Sequence, residues 1–272
     1  MQPDVIQLIR AVPNPVVRAM TQPMDCPGTV RSHVWLYMGF ISQESWSGHS
    51  VVWGMEKRVR EIHSALLEEY GEPSPPSDMP PVDSIIHTIL SQNTADENRD
   101  RAWESLVDEF GKDYGAIEEA DHDRLAESIR TAGLSNQKAT RIQDALRTIR
   151  EHTGGEYSLG FIKGMSVEES QKWLTNIKGI GPKTAGIVLL FRFNKPYFPV
   201  DTHCHRLAKR FQLIPPDTSA EKAHDLLTES VPDELMYSFH RLLIDHGREY
   251  CTARNADCDN PVCRRFCECE YC

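Results

Sequence analysis

No apolar run in the 272-residue chain approaches the roughly 18 residues that a membrane span needs. The first twenty residues carry Asp4 and prolines but no apolar stretch of secretory type, so no export signal is expected there. Positive charge is also in short supply: 30 lysines and arginines face 40 acids, for a net charge of −10. Residues 1–54 are balanced, with Asp4, Asp25 and Glu44 against Arg10, Arg18 and Arg31, so the acidic excess lies in 55–272. That argues against polyanion binding through bulk charge; a local patch or a helix N-terminus is still able to hold a phosphate. Cysteine is almost missing until the end, where six of the eight fall within the last 22 residues. A secreted disulfide framework spreads its cysteines along the chain, so this array points to a local metal site in a cytosolic protein. Strand-like alternation is nearly absent.

What remains is helix after helix. Residues 1–54 show no helical period and read as a poorly ordered extension, as sequence upstream of a start at Met55, or as an N-terminal element that packs its aromatics on the body. From Met55 an amphipathic helix carries Val59, Ile62, Leu66 and Leu67 on one stripe and stops at Gly71. A proline-rich linker, Glu72 to Pro81, leads to helices marked by Ile85–Leu90, by Trp103–Phe110 with Thr94 as its expected cap, and by Leu125–Ile129. Gly133 reads as a C-terminal cap, Ser135 as the cap of the next helix, and Gly154-Gly155 as its stop. Ser166 and Glu169 form a capping box. Further helices are predicted over 182–192, 202–211, 220–230 and 233–247. The fold class is all-α.

The chemistry concentrates in Ile177-Lys178-Gly179-Ile180-Gly181-Pro182-Lys183-Thr184-Ala185. Two glycines permit a tight turn, and Pro182 suits the first helical position. The exposed N–H groups of that helix start form a phosphate site that reads no sequence. Lys183 lies in the first turn, where the helix dipole adds positive potential. Only a neutral amine attacks carbon, and such a potential favours the neutral form, so Lys183 is the candidate nucleophile. Eighteen residues on, Asp201 in Val200-Asp201-Thr202-His203 suits both an N-cap and a carboxylate that stabilises a developing cation. In the terminal array, four thiolates suit an iron–sulfur cluster or tetrahedral zinc.

The string Leu174-x-x-Ile177-x-Gly179-x-Gly181-x-x-Thr184-Ala185 resembles the helix–hairpin–helix of the endonuclease III family of DNA glycosylases, and Val-Asp-Thr-His matches that family's string. The resemblance runs from Met55 to the C-terminus. It implies two helical lobes around a cleft: a helical barrel over 82–195 that carries the hairpin, and a second lobe of 55–81 and 196–272 that ends in an iron–sulfur cluster loop. It implies a monomeric base-excision repair enzyme that removes oxidised pyrimidines from double-stranded DNA, nicks abasic sites through a lysine Schiff base, and acts in the cytoplasm at the nucleoid. Lys183 and Asp201 become the catalytic pair. DNA contacts fall to Lys178, Gly179 and Gly181 of the hairpin and to Arg254. Gln92 or Asn93 in Leu90-Ser91-Gln92-Asn93-Thr94 fills the hole left by an everted base, and Leu134 wedges the stack. Cys251 and Cys258 match the first spacing of the family's four-iron, four-sulfur (4Fe-4S) cluster. Position 261 is then proline, and the later spacing departs; the total span selects Cys251, Cys258, Cys263 and Cys267, with Cys269 as the alternative last ligand.

Two other readings compete. A mismatch-specific glycosylase of the same superfamily usually has a glutamate where this chain has His87, or a tyrosine where it has Lys183. A non-catalytic helix–hairpin–helix module would bind DNA and form no covalent adduct.

Overall fold

A computed structural model describes residues 48–267. Among these residues there are twelve α-helices and no strand, so the all-α expectation holds. In chain order they are α1 (Gly48–Tyr70), α2 (Pro81–Ser91), α3 (Asp96–Phe110), α4 (Tyr114–Glu119), α5 (His122–Ser128), α6 (Ser135–Thr153), α7 (Val167–Thr175), α8 (Pro182–Phe193), α9 (Thr202–Arg210), α10 (Ala220–Ser230), α11 (Met236–Glu249) and α12 (Pro261–Phe266). The readings made for residues 1–47 and for Cys269 lie outside the described residues.

Apolar stripes separate into two cores. One gathers Ile85, Ile89, Leu106, Ile142, Leu146 and Leu189 from α2, α3, α6 and α8. The other gathers Ile62, Leu66, Phe198, Phe211, Phe239 and Leu243 around α1, α9 and α11. Each fully buried side chain of this size contributes roughly 1.5–3 kcal/mol. Helix α8 feeds both, with Val188 and Leu189 in the first and Leu190 in the second. It packs on α2 and α7 on one side and on α10 and α11 on the other. Its N-terminus, and Lys183 with it, is therefore fixed by both cores.

Local signals succeed where no tertiary bond competes. Ser166 and Glu169 make the full capping box, and Gly154 ends α6 in the left-handed conformation. Three expectations need correction. Helix α1 begins at Gly48, not Met55; the interior Gly54 costs only about 1 kcal/mol relative to alanine, too little to stop it. Thr94 does not cap α3: the N-cap is Ala95, and the Thr94 hydroxyl instead reaches Ala132 O at 2.6 Å. Ser135 is the first residue of α6, after Leu134 in a left-handed N-cap without a side-chain bond.

Candidate active site

The hairpin turns on Gly179 at φ +89°, in the left-handed region. A Cβ there would stand 2.6 Å from Arg141 Cδ, so the arginine stem lies against the bare backbone. Ile177 and Ile180 are buried on either side and anchor the turn, while Lys178 is exposed. Pro182 opens α8, and no side chain caps it. Its first N–H groups have no acceptor within the helix, which leaves them to an anion.

Lys183 and Asp201 line one cleft of about 490 Å³, together with Asn93, Arg99, His240 and Arg248. Lys183 is exposed. Asp201 N-caps α9: its Oδ1 accepts from the Cys204 N–H at 2.7 Å, a bond that leaves Oδ2 for other partners. Burial disfavours the Asp201 carboxylate. The Cys204 N–H bond and the electrostatic attraction of His240, Lys183 and His203 outweigh it and hold its pKa below the ordinary carboxylate value.

The sequence reading missed His240. It is 1% exposed, and neither ring nitrogen has a hydrogen-bond partner among the described residues. Phe191 and Phe198 box the ring edge-on at 5.5 and 5.7 Å. Burial lowers its pKa from the ordinary 6.5 to about 4. The available signal was a histidine among Met236, Phe239 and Leu243 on the buried stripe of α11. A folded-state pKa below the unfolded one means that the unfolded chain binds the extra proton first. Stability contributed by neutral His240 is therefore lost as pH falls from 6.5 towards 4. His240→Asn is expected to flatten that part of the melting-temperature profile. An unchanged slope would show that His240 does not carry it.

Two guanidinium groups line this cleft, each paired with carboxylates. Arg248 of α11 meets Asp96 of α3 at 3.1 Å across the cleft, and Arg99 bonds Asp96 at 2.6 Å and Asp100 at 2.7 Å. Sequence reasoning missed them because only the fold brings 96 and 248 together.

The Gln92/Asn93 pair, left open by the sequence, now differs in surroundings. The Gln92 amide donates to Gly179 O at 3.2 Å and its oxygen accepts from Arg141, so it is engaged in holding the hairpin. Asn93 is exposed, lines the cleft and has φ +53°. Leu134 stands at φ +48° and, at 59%, is the exposed large hydrophobic side chain of the described residues. Arg254 is exposed in the loop after α11.

In the cysteine segment, Cys251 and Cys263 are buried, and Cys258 and Cys267 are half-buried. Arg210 Nη1 lies 2.9 Å from Cys251 Sγ, and His246 Nε2 lies 3.2 Å from Cys263 Sγ. Hydrogen bonding with Cys263, then Arg210, pulls the Cys251 thiol down to about 6 despite burial. Among the described residues no three ligand side chains are gathered into a metal-holding group.

The helices, the glycine hairpin and the lysine–aspartate cleft define a helix–hairpin–helix DNA-repair fold. A family model described as "HhH-GPD superfamily base excision DNA repair protein" matches residues 86–233. Endonuclease III of Sulfolobus acidocaldarius is 32% identical over 186 residues, 68% of this chain and 80% of that protein. Endonuclease III of Thermotoga maritima is 30% identical over 214 residues, 79% and 92% respectively. An inferred DNA glycosylase of Arabidopsis thaliana is 35% identical over 167 residues, which span 61% of this chain and 56% of that protein. A solved non-covalent endonuclease III–DNA complex superposes with a TM-score of 0.67 at 22% identity, covering 78% of this chain and 95% of that one. The chain belongs to the HhH-GPD superfamily of base excision DNA repair proteins and is an endonuclease III-like DNA glycosylase.

Proposed function

We propose that the protein is a bifunctional glycosylase and abasic-site lyase that removes oxidised pyrimidines from duplex DNA, with Lys183 as nucleophile and Asp201 as its electrostatic partner. The observation that carries this is the convergence of an exposed lysine and an ionised carboxylate, from the N-termini of successive helices, on one cleft. The anion site at the start of α8 holds a backbone phosphate and brings the sugar to Lys183. The neutral amine attacks C1′, and the base leaves with the electrons of the glycosidic bond. Positive charge that builds on the sugar as this bond breaks faces the Asp201 carboxylate. Opening of the sugar ring gives an iminium between Nζ and C1′. Loss of a C2′ proton then expels the 3′ phosphate and nicks the strand. Asn93 occupies the gap opposite the everted nucleotide, and Leu134 enters the stack. Lys178 and Arg254 meet phosphates.

The test is borohydride trapping of the wild-type protein on a duplex with one abasic site, run beside a panel of oxidised and mismatched bases. A covalent adduct, a nick 3′ to the site and preference for oxidised pyrimidines support the reading. Base release without an adduct would leave only glycosylase activity, and binding alone would leave a DNA-binding module.

The same proposal places a 4Fe-4S cluster on Cys251, Cys258, Cys263 and Cys267. The donor set fits: four thiols lie within one short segment, and Arg210 and Cys263 favour the thiolate of Cys251. The bound cluster would supply a rigid cross-link for the loop that bears Arg254. No step of the reaction needs it. Cys258→Ser is expected to lower bound iron and sulfide and to bleach the visible absorbance of the purified protein. Protein isolated with zinc and no iron would overturn the assignment.

A further inference from the structure

The only strongly buried lysine described here is not the nucleophile. Lys138 of α6 is 1% exposed. Its Nζ donates to Leu90 O at 2.8 Å, to Thr94 Oγ1 at 2.6 Å and to Ala132 O at 2.8 Å. An ammonium has three protons, and here each finds one acceptor. Burial and the neighbouring Arg141 lower its pKa to about 8, so the cation still predominates at neutral pH. No carboxylate pairs with it among the described residues. Burying such a charge among dipoles is costly, and a packing role alone would be met by methionine at no such cost.

What the three acceptors have in common is their place in the chain. Leu90 O lies in the last turn of α2, Thr94 closes the loop that carries Asn93, and Ala132 O precedes the Gly133-Leu134 turn. Thr94 Oγ1 also reaches Ala132 O at 2.6 Å, so the two loops meet at one node. Next to that node stand two non-glycine residues in the left-handed region, Asn93 at φ +53° and Leu134 at φ +48°. A leucine held there is strained, and the surrounding structure must hold it in place.

We propose that Lys138 is a positioning residue for duplex opening: its ammonium ties the Asn93 loop to the Leu134 turn, so that both side chains enter the helix as one rigid unit. The inference rests on the function proposed above and concerns only how the duplex is opened. Once the target sugar is unstacked, the clamp has nothing left to do. Its effect therefore depends on the stacking of the substrate.

The experiment compares single-turnover borohydride trapping on an abasic site within a paired duplex and on the same site inside an unpaired bubble. Lys138→Met is expected to slow trapping on the paired duplex by about tenfold or more, as loss of one such bonding node implies, and by less than about threefold on the bubble. Lys138→Arg, which keeps the charge and some donors, recovers part of the difference. Equal losses on both substrates, or no loss on the duplex, would overturn the proposal. If melting shows Lys138→Met unfolded, Thr94→Val removes the shared hydroxyl and keeps the ammonium; it is expected to show the same duplex-selective loss by a smaller factor, and an equal loss on both substrates refutes the clamp. If the wild type forms no adduct on either substrate, the lyase reading has failed. The clamp is then judged by the fluorescence of 2-aminopurine next to the abasic site, which rises on binding of wild type and stays flat with Lys138→Met if the clamp is correct.

Discussion

Lys183→Gln is expected to abolish the borohydride-trapped adduct and to cut strand nicking by on the order of a thousandfold or more. The argument begins with what the change leaves alone. Lys183 is exposed, so no core contact is lost. It sits one residue after Pro182 in an uncapped first turn, where glutamine is nearly as good a helix former as lysine. Loss of a cation at a helix N-terminus removes a mild repulsion with the dipole. Stability should therefore stay within about 0.5 kcal/mol of wild type. DNA affinity, which the proposed function assigns to the hairpin backbone, Lys178 and Arg254, should fall only modestly. Chemistry alone is lost, because an amide cannot form an imine. The measurement is denaturing electrophoresis of trapped and untrapped reactions on an abasic duplex. A persistent adduct would move the nucleophile to another amine; exposed Lys178, five residues earlier in the hairpin, is the first to examine.

This prediction shows what could be read from one dimension. The Ile177–Ala185 string has its meaning within its own nine residues, because a turn, a proline start and a helix dipole are local physics. The capping box at Ser166 and Glu169 was legible for the same reason. Thr94 was misread because its hydroxyl takes Ala132 O, 38 positions away, in place of its own helix. His240 and Lys138 were legible only in part. Each is a polar residue on an apolar helical stripe, and the stripe shows that it is buried without showing what it faces. The different surroundings of Gln92 and Asn93 arise from the hairpin carbonyl of Gly179, 87 positions from Gln92, which only the fold brings alongside. The ring of charge at Asp96, Arg99 and Arg248 had no sequence signal, since charged residues on helices are usually solvated faces. The rule that separates these cases is contact order: features made within one turn are visible, and features made between α3, α6, α8 and α11 are not.

The same distinction governs Asp201→Asn, which is expected to retain the fold and DNA binding and to lose base excision by roughly a hundred- to ten-thousandfold. On the proposed mechanism Asp201 has two tasks that this substitution separates. One is local: Oδ1 caps α9 through the Cys204 N–H, and asparagine is as good a cap as aspartate. The other depends on charge. The native pKa is held below the ordinary carboxylate value, so the group stays ionised at neutral pH and faces the cleft that also holds Lys183. A neutral amide cannot stabilise the cation that builds as the glycosidic bond breaks. Nicking of a preformed abasic site has no such bond left to cleave, so its loss should be smaller than that of base release. Asp201→Ala removes the cap as well and should cost about 1 kcal/mol of additional stability. The sign of the pH effect follows from the same shift. A carboxylate with a depressed native pKa contributes stability above its unfolded value and loses it as pH falls through the native one. Asp201→Asn should therefore lose less stability than wild type on strong acidification. Single-turnover rates on an oxidised-base duplex and on an abasic duplex, beside melting curves of both variants, decide the matter. Equal losses on the two substrates would mean that the carboxylate acts on the Schiff-base steps, and an unchanged rate on both would remove Asp201 from the chemistry altogether.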